Sequence, residues 1–215
     1  MMTATQLALT AVLDRLAAAL PVVPVPAPTG AGTPSPTPLV IGLDVSLSCT
    51  GVASRGWAEA IRSGRRDGHE RLAHQLHEMQ SYYRHAELVV IEGPAFSRAM
   101  QRGHDELAAI RWMARHDLWK RGIPYAVVPP DNRTIYATGR ARWAGETPAQ
   151  VKGRVRDAVQ QRYGVTCAGP GRYDQADALI LAEMGLAHLG HPGAVLPPTH
   201  TRALGGVAWP ERTDA

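Results

Sequence analysis

The sequence predicts an α/β domain with a five-stranded mixed sheet flanked by helices. Apolar, β-branched runs alternate with segments whose apolar residues recur at helical spacing, in the order three strands, helix, strand, helix, strand, helices. Residues 88–91 are apolar throughout, which is typical of a strand buried on both faces of a sheet. A chain of 215 residues is long enough for one well-filled core plus appendages.

The predicted strands form one sheet. They cover residues 39–45, 51–54, 57–61, 88–91 and 125–128. We expect the first three to be antiparallel, and the first, fourth and fifth to be parallel to one another. The predicted helices cover residues 67–85, 105–121, 147–163 and 173–188. Thr147 followed by Pro148 is a typical helix start, and Pro129 and Pro130 end the fifth strand.

Both ends of the chain are predicted to lie outside this domain. Residues 1–38 combine an amphipathic segment with a Pro-rich, charge-free stretch, and form either a docking segment for a partner protein or a weakly ordered extension. Residues 39–190 form the domain. Residues 191–215 are a Pro- and Gly-rich tail without clear periodicity.

The sequence favours a cytoplasmic protein without membrane association. The apolar run near the N-terminus is broken by Asp14 and Arg15, which argues against a signal peptide or a membrane span. The two cysteines, Cys49 and Cys167, fit neither a disulfide framework nor a metal cluster. A reducing compartment follows from that cysteine usage.

Positive charge is concentrated in one part of the chain. Residues 98–162 contain 13 basic and 6 acidic residues, and Lys120 and Lys152 are the only lysines. Arginine suits planar contacts to phosphate, so a polyanionic partner is one explanation. An ordinary solvated helix face is the other.

Four carboxylates occupy positions that an α/β sheet brings together. Asp44 ends the first predicted strand and Glu92 ends the fourth, so parallel pairing places both at one sheet edge. Asp174 and Asp177 are three residues apart at the start of the last helix and share one face. Taken singly, each acid also has a structural explanation, such as a helix cap.

Convergence of these acids would favour a divalent cation. Mg²⁺ prefers oxygen ligands and keeps waters and substrate phosphates in its shell. Two such ions about 4 Å apart can activate a water and stabilise the leaving oxygen in phosphodiester hydrolysis. Without a cation, clustered carboxylates repel one another.

The motifs GLDVSLSCTGVA, VVIEGPAF and DQADALILA occur in this order. Together they resemble the pattern of RuvC-type Holliday junction resolvases, of the ribonuclease H-like superfamily, with composition suggestive of a phage or actinobacterial member. The resemblance spans residues 38–188. It implies a ribonuclease H-like fold and a homodimer that nicks two strands of a four-way DNA junction. It also implies two Mg²⁺ ions per site, for which Mn²⁺ substitutes, with catalytic metal ligands Asp44, Glu92, Asp174 and Asp177.

An aromatic and several basic residues are candidates for contacts to branched DNA. Phe96 resembles the family's junction-probing aromatic, although a loop-packing role explains it equally well. The predicted DNA-binding set is Phe96, Arg98, Arg102, Arg133, Arg140, Arg142 and Lys152. Arg133 stands where the family has a lysine, and Lys152 lies one helical turn beyond the second expected lysine. The sequence therefore leaves open which residue replaces the family's catalytic lysine.

Three other functions share some of these sequence features with a junction resolvase. An actin-like sugar kinase or ATPase shares the first strand motif, but it needs a second related domain. A nuclease of the same fold could act on another branched DNA or on an RNA–DNA hybrid. A non-cleaving junction-binding module is the third hypothesis.

Trp112 and Trp119 lie seven residues apart on one predicted helix face, which favours core or dimer packing over base stacking.

Overall fold

The computed structural model describes residues 37–94 and 103–211. The predicted N-terminal extension therefore falls almost entirely outside the described residues. Phe96, Arg98 and Arg102, from the predicted DNA-binding set, also lie outside them.

The strands form one mixed sheet. They are β1 (Val40–Asp44), β2 (Cys49–Ser54), β3 (Trp57–Arg62), β4 (Leu88–Glu92) and β5 (Tyr125–Val128). Their order across the sheet is β3-β2-β1-β4-β5. The pairs β3–β2 and β2–β1 are antiparallel, and β1–β4 and β4–β5 are parallel. The predicted five-stranded mixed sheet is confirmed.

Helices cover both faces of the sheet. They are α1 (Gly68–Tyr83), α2 (His104–Lys120), α3 (Pro130–Thr138), α4 (Pro148–Tyr163), α5 (Arg172–His188) and α6 (Pro198–Thr201), followed by a 3-10 helix (Arg202–Gly206). Thr147 caps α4, and a reciprocal capping box with Gln150 stabilises this start. The predicted N-cap is thereby confirmed. No helix in the described ranges is long and apolar enough to cross a membrane.

Helix α3 was not predicted from the sequence. Pro129 and Pro130 end β5 as expected, but Pro130 is also the first residue of a helix. Proline is well suited to that position, because its fixed φ angle is helical and its missing N–H would have no partner there. Gly139, with φ of 79°, ends the helix.

Side chains of the central strands alternate between two hydrophobic cores. Val40 and Val90 face the core under α5, whereas Ile41 and Ile91 face the core under α1 and α2. Helix α5 is buried on nearly all sides, from Ala176 through Leu186. A helix that is apolar all round belongs in the interior, and α5 lies directly against β1, β2 and β4.

The segment after residue 190 packs on the domain. Ala203 and Val207 are buried in the core under α5. Trp209 stacks on His188, with ring centroids 4.4 Å apart, and its indole N–H donates to the Leu204 carbonyl at 3.0 Å. These contacts could not be predicted from sequence periodicity, because they are made by single residues in short turns.

Candidate active site

Two buried carboxylates meet at the carboxyl edge of the sheet. Leu43 of β1 is paired with Ile91 of the parallel strand β4. Asp44 and Glu92, the next residues along each strand, therefore end side by side, and they are only 7% and 9% exposed. The predicted meeting of these acids follows from strand register alone.

A third carboxylate, Asp177, reaches the same edge from α5 and is 2% exposed. Its position depends on close contact between α5 and the sheet. A Cβ atom at Gly42 of β1 would lie 2.0 Å from the Ala178 carbonyl oxygen, and one at Gly51 of β2 would lie 1.9 Å from the Asp174 carbonyl oxygen. Only glycine permits this approach of the helix backbone.

The guanidinium of Arg133 lies among these acids. Its Nε and Nη2 are 2.9 and 2.8 Å from Glu92 Oε1. Its Nη1 donates to Asp177 Oδ1. Arg133 is in the first turn of α3 and only 7% exposed. A buried positive charge therefore neutralises part of the acidic cluster.

Burial and mutual repulsion distribute the protons unevenly. Burial, with the negative charges of Glu92 and Asp177, raises the pKa of Asp44 well above its ordinary value. Burial also acts to raise the pKa of Glu92, but the charge of Arg133 and hydrogen bonds from Asp44 and Arg133 leave it lowered. Of these two neighbouring carboxyl groups, Asp44 is therefore the one on which burial and the surrounding negative charge favour a proton.

The pKa of Asp177 is raised to about 6. Burial is the main cause, and the charge of Glu92 adds to it, while Arg133 and Lys152 oppose it. Lys152 on α4 therefore contributes positive charge to the surroundings of the same cluster.

Asp174 lies at the border of the cluster rather than inside it. It is half-buried in the first turn of α5 and accepts a hydrogen bond from the Cys49 thiol. Burial and this carboxylate raise the pKa of Cys49 to about 11. The charge of Asp174 also reaches Asp177, since it helps to raise that pKa.

The donor chemistry fits a hard divalent cation, because every acidic ligand candidate offers carboxylate oxygens. Asp44, Glu92 and Asp177 would hold such an ion, with Asp174 beside them. As the side chains stand, however, no group of three or more Asp, Glu, His or Cys residues in the described part of the chain is disposed to hold a metal ion. Arg133 already supplies positive charge between Glu92 and Asp177.

A cleft of about 440 Å³ opens beside Arg133. Besides Arg133, its lining consists of Asp131, Thr134, Ala141, Arg142, Trp143, Glu146, Pro148, Val151, Lys152 and Val155. The walls therefore combine apolar side chains with charges of both signs. Cations in a cleft that adjoins a carboxylate cluster are well placed to hold a phosphate close to it.

The basic residues predicted to bind DNA differ in their exposure to solvent. Arg142 has an 89% exposed side chain and lies 3.7 Å from Asp131. Lys152 lines the cleft, and Arg140 is exposed nearby with its guanidinium 5.3 Å from the Trp143 ring centroid. Arg133 is the exception, since its guanidinium faces the carboxylates and not solvent.

Trp143 was not singled out from the sequence. Its ring forms part of the cleft wall, and the Arg154 guanidinium lies 4.1 Å from the ring centroid. The available signal was an aromatic residue directly after Arg140 and Arg142, because aromatic and basic residues together are typical of nucleic-acid surfaces.

The described architecture is that of a protein of known structure. RuvC from Thermus thermophilus superposes on this chain with a TM-score of 0.51, covering 73% of this chain and 99% of that one at 18% sequence identity. This domain has the RuvC fold. Thermus thermophilus RuvC in complex with a Holliday junction substrate gives a TM-score of 0.49, covering 74% and 99% of the two chains at 18% identity. No protein-family model and no curated protein matches the sequence.

Proposed function

We propose that this chain is a metal-dependent endonuclease that resolves four-way DNA junctions by paired nicking. The observation that carries the proposal is the meeting of buried Asp44, Glu92 and Asp177 at one sheet edge of a RuvC-like fold. Buried carboxylates are costly unless a cation or a reaction requires them. The ordered sequence motifs around the same residues support the same conclusion.

In this proposal Asp44, Glu92, Asp174 and Asp177 hold two Mg²⁺ ions, for which Mn²⁺ substitutes. Bound ions would supply an activated water and charge stabilisation at the scissile phosphate. Water oxygen bonds to phosphorus, the bond from phosphorus to the 3′ oxygen breaks, and the products carry 5′-phosphate and 3′-hydroxyl ends. Arg142, Lys152 and Arg140 would contact the DNA backbone without reading its sequence.

Paired nicking requires two active sites, so we propose a homodimer. Trp112 and Trp119 support an interface on α2, because their side chains are 65% and 70% exposed while Ile110 and Leu118 of the same helix are buried. Large exposed aromatic side chains on one face typically mark an interaction surface.

The alternative is a junction-binding module that does not cut DNA. Arg133 favours it, because its ion pairs with Glu92 and Asp177 would also neutralise a purely structural cluster. The two functions differ in one measurable respect, since only the nuclease breaks phosphodiester bonds.

The test compares a synthetic four-way junction with a linear duplex, a flap and an RNA–DNA hybrid of matched sequence, with and without Mg²⁺. We expect paired symmetrical nicks in the junction only, dependent on the metal. Asp44→Asn should lower the cleavage rate at least about a hundredfold without weakening junction binding. Asp67→Asn is the matched control, because Asp67 is exposed and makes no side-chain cap bond.

Each other result has a definite meaning. Metal-dependent cutting of the flap or the hybrid would assign a different substrate to the same site. Binding without cutting would favour the structural module. Full activity of Asp44→Asn would contradict the proposed metal site.

A further inference from the structure

Arg133 is held in the acidic cluster by contacts on more than one side. Its Nε and Nη2 both contact Glu92 Oε1, at 2.9 and 2.8 Å, and its Nη1 contacts Asp177 Oδ1. The side chains of Glu92 and Asp177 are 11% and 2% exposed. These ion pairs lie in the protein interior, where an unpaired charge is expensive.

The same guanidinium contacts carboxylate oxygens that a bound metal ion would also need. Asp44, Glu92 and Asp177 are the carboxylates that meet at the sheet edge, and Arg133 bridges two of them. A divalent cation held by Glu92 and Asp177 would compete with the guanidinium for these carboxylates. The cation and the guanidinium would also repel each other strongly, because the effective dielectric constant of the protein interior is low.

The structure offers the guanidinium another place. Arg133 lines the 440 Å³ cleft as well as the cluster, so its side chain stands at the boundary between the two. Asp131 and Glu146 also line this cleft, where they pair with Arg142 and Arg154. From this boundary, rotation about the side-chain bonds of Arg133 would turn the guanidinium away from Glu92 and Asp177 and towards the cleft.

We propose that Arg133 is the resident counter-ion of the acidic cluster and exchanges with the divalent cation. Without metal, the guanidinium neutralises Glu92 and Asp177 and holds the cluster together. When metal binds, the guanidinium moves into the cleft, where it contacts a phosphate of the bound DNA. This inference rests on the proposed metal-dependent function, since it assigns the ion to the same carboxylates.

The exchange links metal binding to DNA binding. Metal must displace an ion pair, so its affinity for the free protein is reduced by the free energy of that pair. A phosphate in the cleft stabilises the displaced guanidinium, so DNA raises the affinity for metal and metal raises the affinity for DNA by the same factor. The site would therefore load fully only on its substrate.

The first experiment measures Mn²⁺ affinity by calorimetry in the full chain without DNA. Arg133→Gln should bind Mn²⁺ at least about tenfold more tightly than wild type, because no guanidinium has to leave. Its thermal midpoint should be lower than that of wild type without metal and should rise more when Mn²⁺ is added.

Arg55→Gln is the matched control. Arg55 also pairs with a buried carboxylate, Glu183, whose side chain is 1% exposed, at 3.2 Å. That pair lies outside the acidic cluster. Arg55→Gln should therefore lower the thermal midpoint without changing Mn²⁺ affinity, and added metal should not restore it.

A second measurement follows the Arg133 side chain by NMR in the wild-type protein. In wild-type protein labelled with ¹⁵N-arginine, the Arg133 Nε–H proton should exchange slowly with water in the absence of metal. Mg²⁺ should accelerate that exchange, because the ion pair opens. The Arg133→Lys spectrum assigns the signal.

The outcomes separate this inference from the proposed function. Equal Mn²⁺ affinity in Arg133→Gln and wild type, or an Arg133 signal unchanged by Mg²⁺, would overturn the exchange even if junctions are cut. Tighter Mn²⁺ binding by Arg133→Gln, together with no DNA cleavage by the wild-type protein, would support the exchange and reject the nuclease. Absence of Mn²⁺ binding in both proteins would overturn the exchange.

Discussion

His200 is a half-buried titratable side chain that lies outside the acidic cluster. Its Nε2 accepts a hydrogen bond from Arg162 Nη2 at 3.1 Å. Burial, together with the charges of Arg162 and Arg202, lowers the pKa of His200 from 6.5 to about 4. The ring is thus neutral in the folded protein at pH values where the unfolded chain is already protonated.

This difference makes the folded state sensitive to mild acid. Between pH 6.5 and 4 the unfolded chain binds a proton at His200 that the folded chain does not, so the free energy of unfolding falls as the pH falls. His200→Gln removes this proton-binding group, because glutamine does not titrate. We expect thermal midpoints measured from pH 7 to pH 4.5 to fall less steeply in His200→Gln than in wild type. Parallel curves would contradict the lowered pKa.

At the scale of single residues, the sequence predicted some site positions and missed others. Asp44 and Glu92 were predictable because each ends an apolar strand, and parallel pairing sets their meeting. The inward position of Arg133 was not predictable, since it depends on a helix starting at Pro130 immediately after the strand. Arg133 was predicted to contact DNA phosphate, and its ion pairs became visible only once α3 was placed.

Helix α5 and strand β1 approach each other so closely at Gly42 that no side chain fits between them there. A Cβ atom at Gly42 would lie 2.0 Å from the Ala178 carbonyl oxygen and 2.6 Å from the Ala182 nitrogen. Both are backbone atoms and cannot rotate away. The helix would have to move off the sheet to accommodate a methyl group.

Gly42→Ala should lower the free energy of unfolding by about 3 kcal/mol or more, at the upper end of the usual cost of overpacking. Urea titration followed by circular dichroism measures this change. Gly153→Ala is the control, because Gly153 lies inside α4 and a Cβ atom there meets nothing within 4 Å. Alanine at that position should raise the free energy of unfolding by about 0.5–1 kcal/mol. Equal midpoints for Gly42→Ala and wild type would refute the close packing.

At the scale of elements, periodicity was sufficient for long segments and insufficient for short ones. The strands and the four long helices carry enough apolar residues to reveal their period. Helix α3 has nine residues, and the turns after residue 190 are shorter still. In such segments one or two buried side chains decide the packing, and a period of 3.6 cannot be recognised from so few.

The whole molecule presents two large aromatic side chains to solvent on α2. Trp112 and Trp119 are 65% and 70% exposed, and the face opposite them is buried through Ile110, Ala114 and Leu118. The sequence left core packing and dimer packing open. The exposure of both side chains excludes the core of this domain.

If α2 forms the dimer interface, sedimentation velocity should show a dimer for wild type and a monomer for the double change Trp112→Ala and Trp119→Ala. The monomer should stay folded, because neither ring supports the core. Val195→Ala is the control, since Val195 is 64% exposed and lies in the segment after α5. A double variant that still sediments as the wild type does would place any dimer interface elsewhere.

The position of α5 has a consequence for biosynthesis. All five strands precede α5 in the chain, yet β1 and β2 are covered by it, and their apolar residues stay uncovered until it emerges from the ribosome. Contacts between such distant segments also form slowly, because a long loop must close first. Asp44 and Glu92 are translated well before Asp177, so the acidic cluster cannot assemble on a nascent chain that lacks α5. A ribosome that stalls early therefore releases a fragment without a complete acidic cluster.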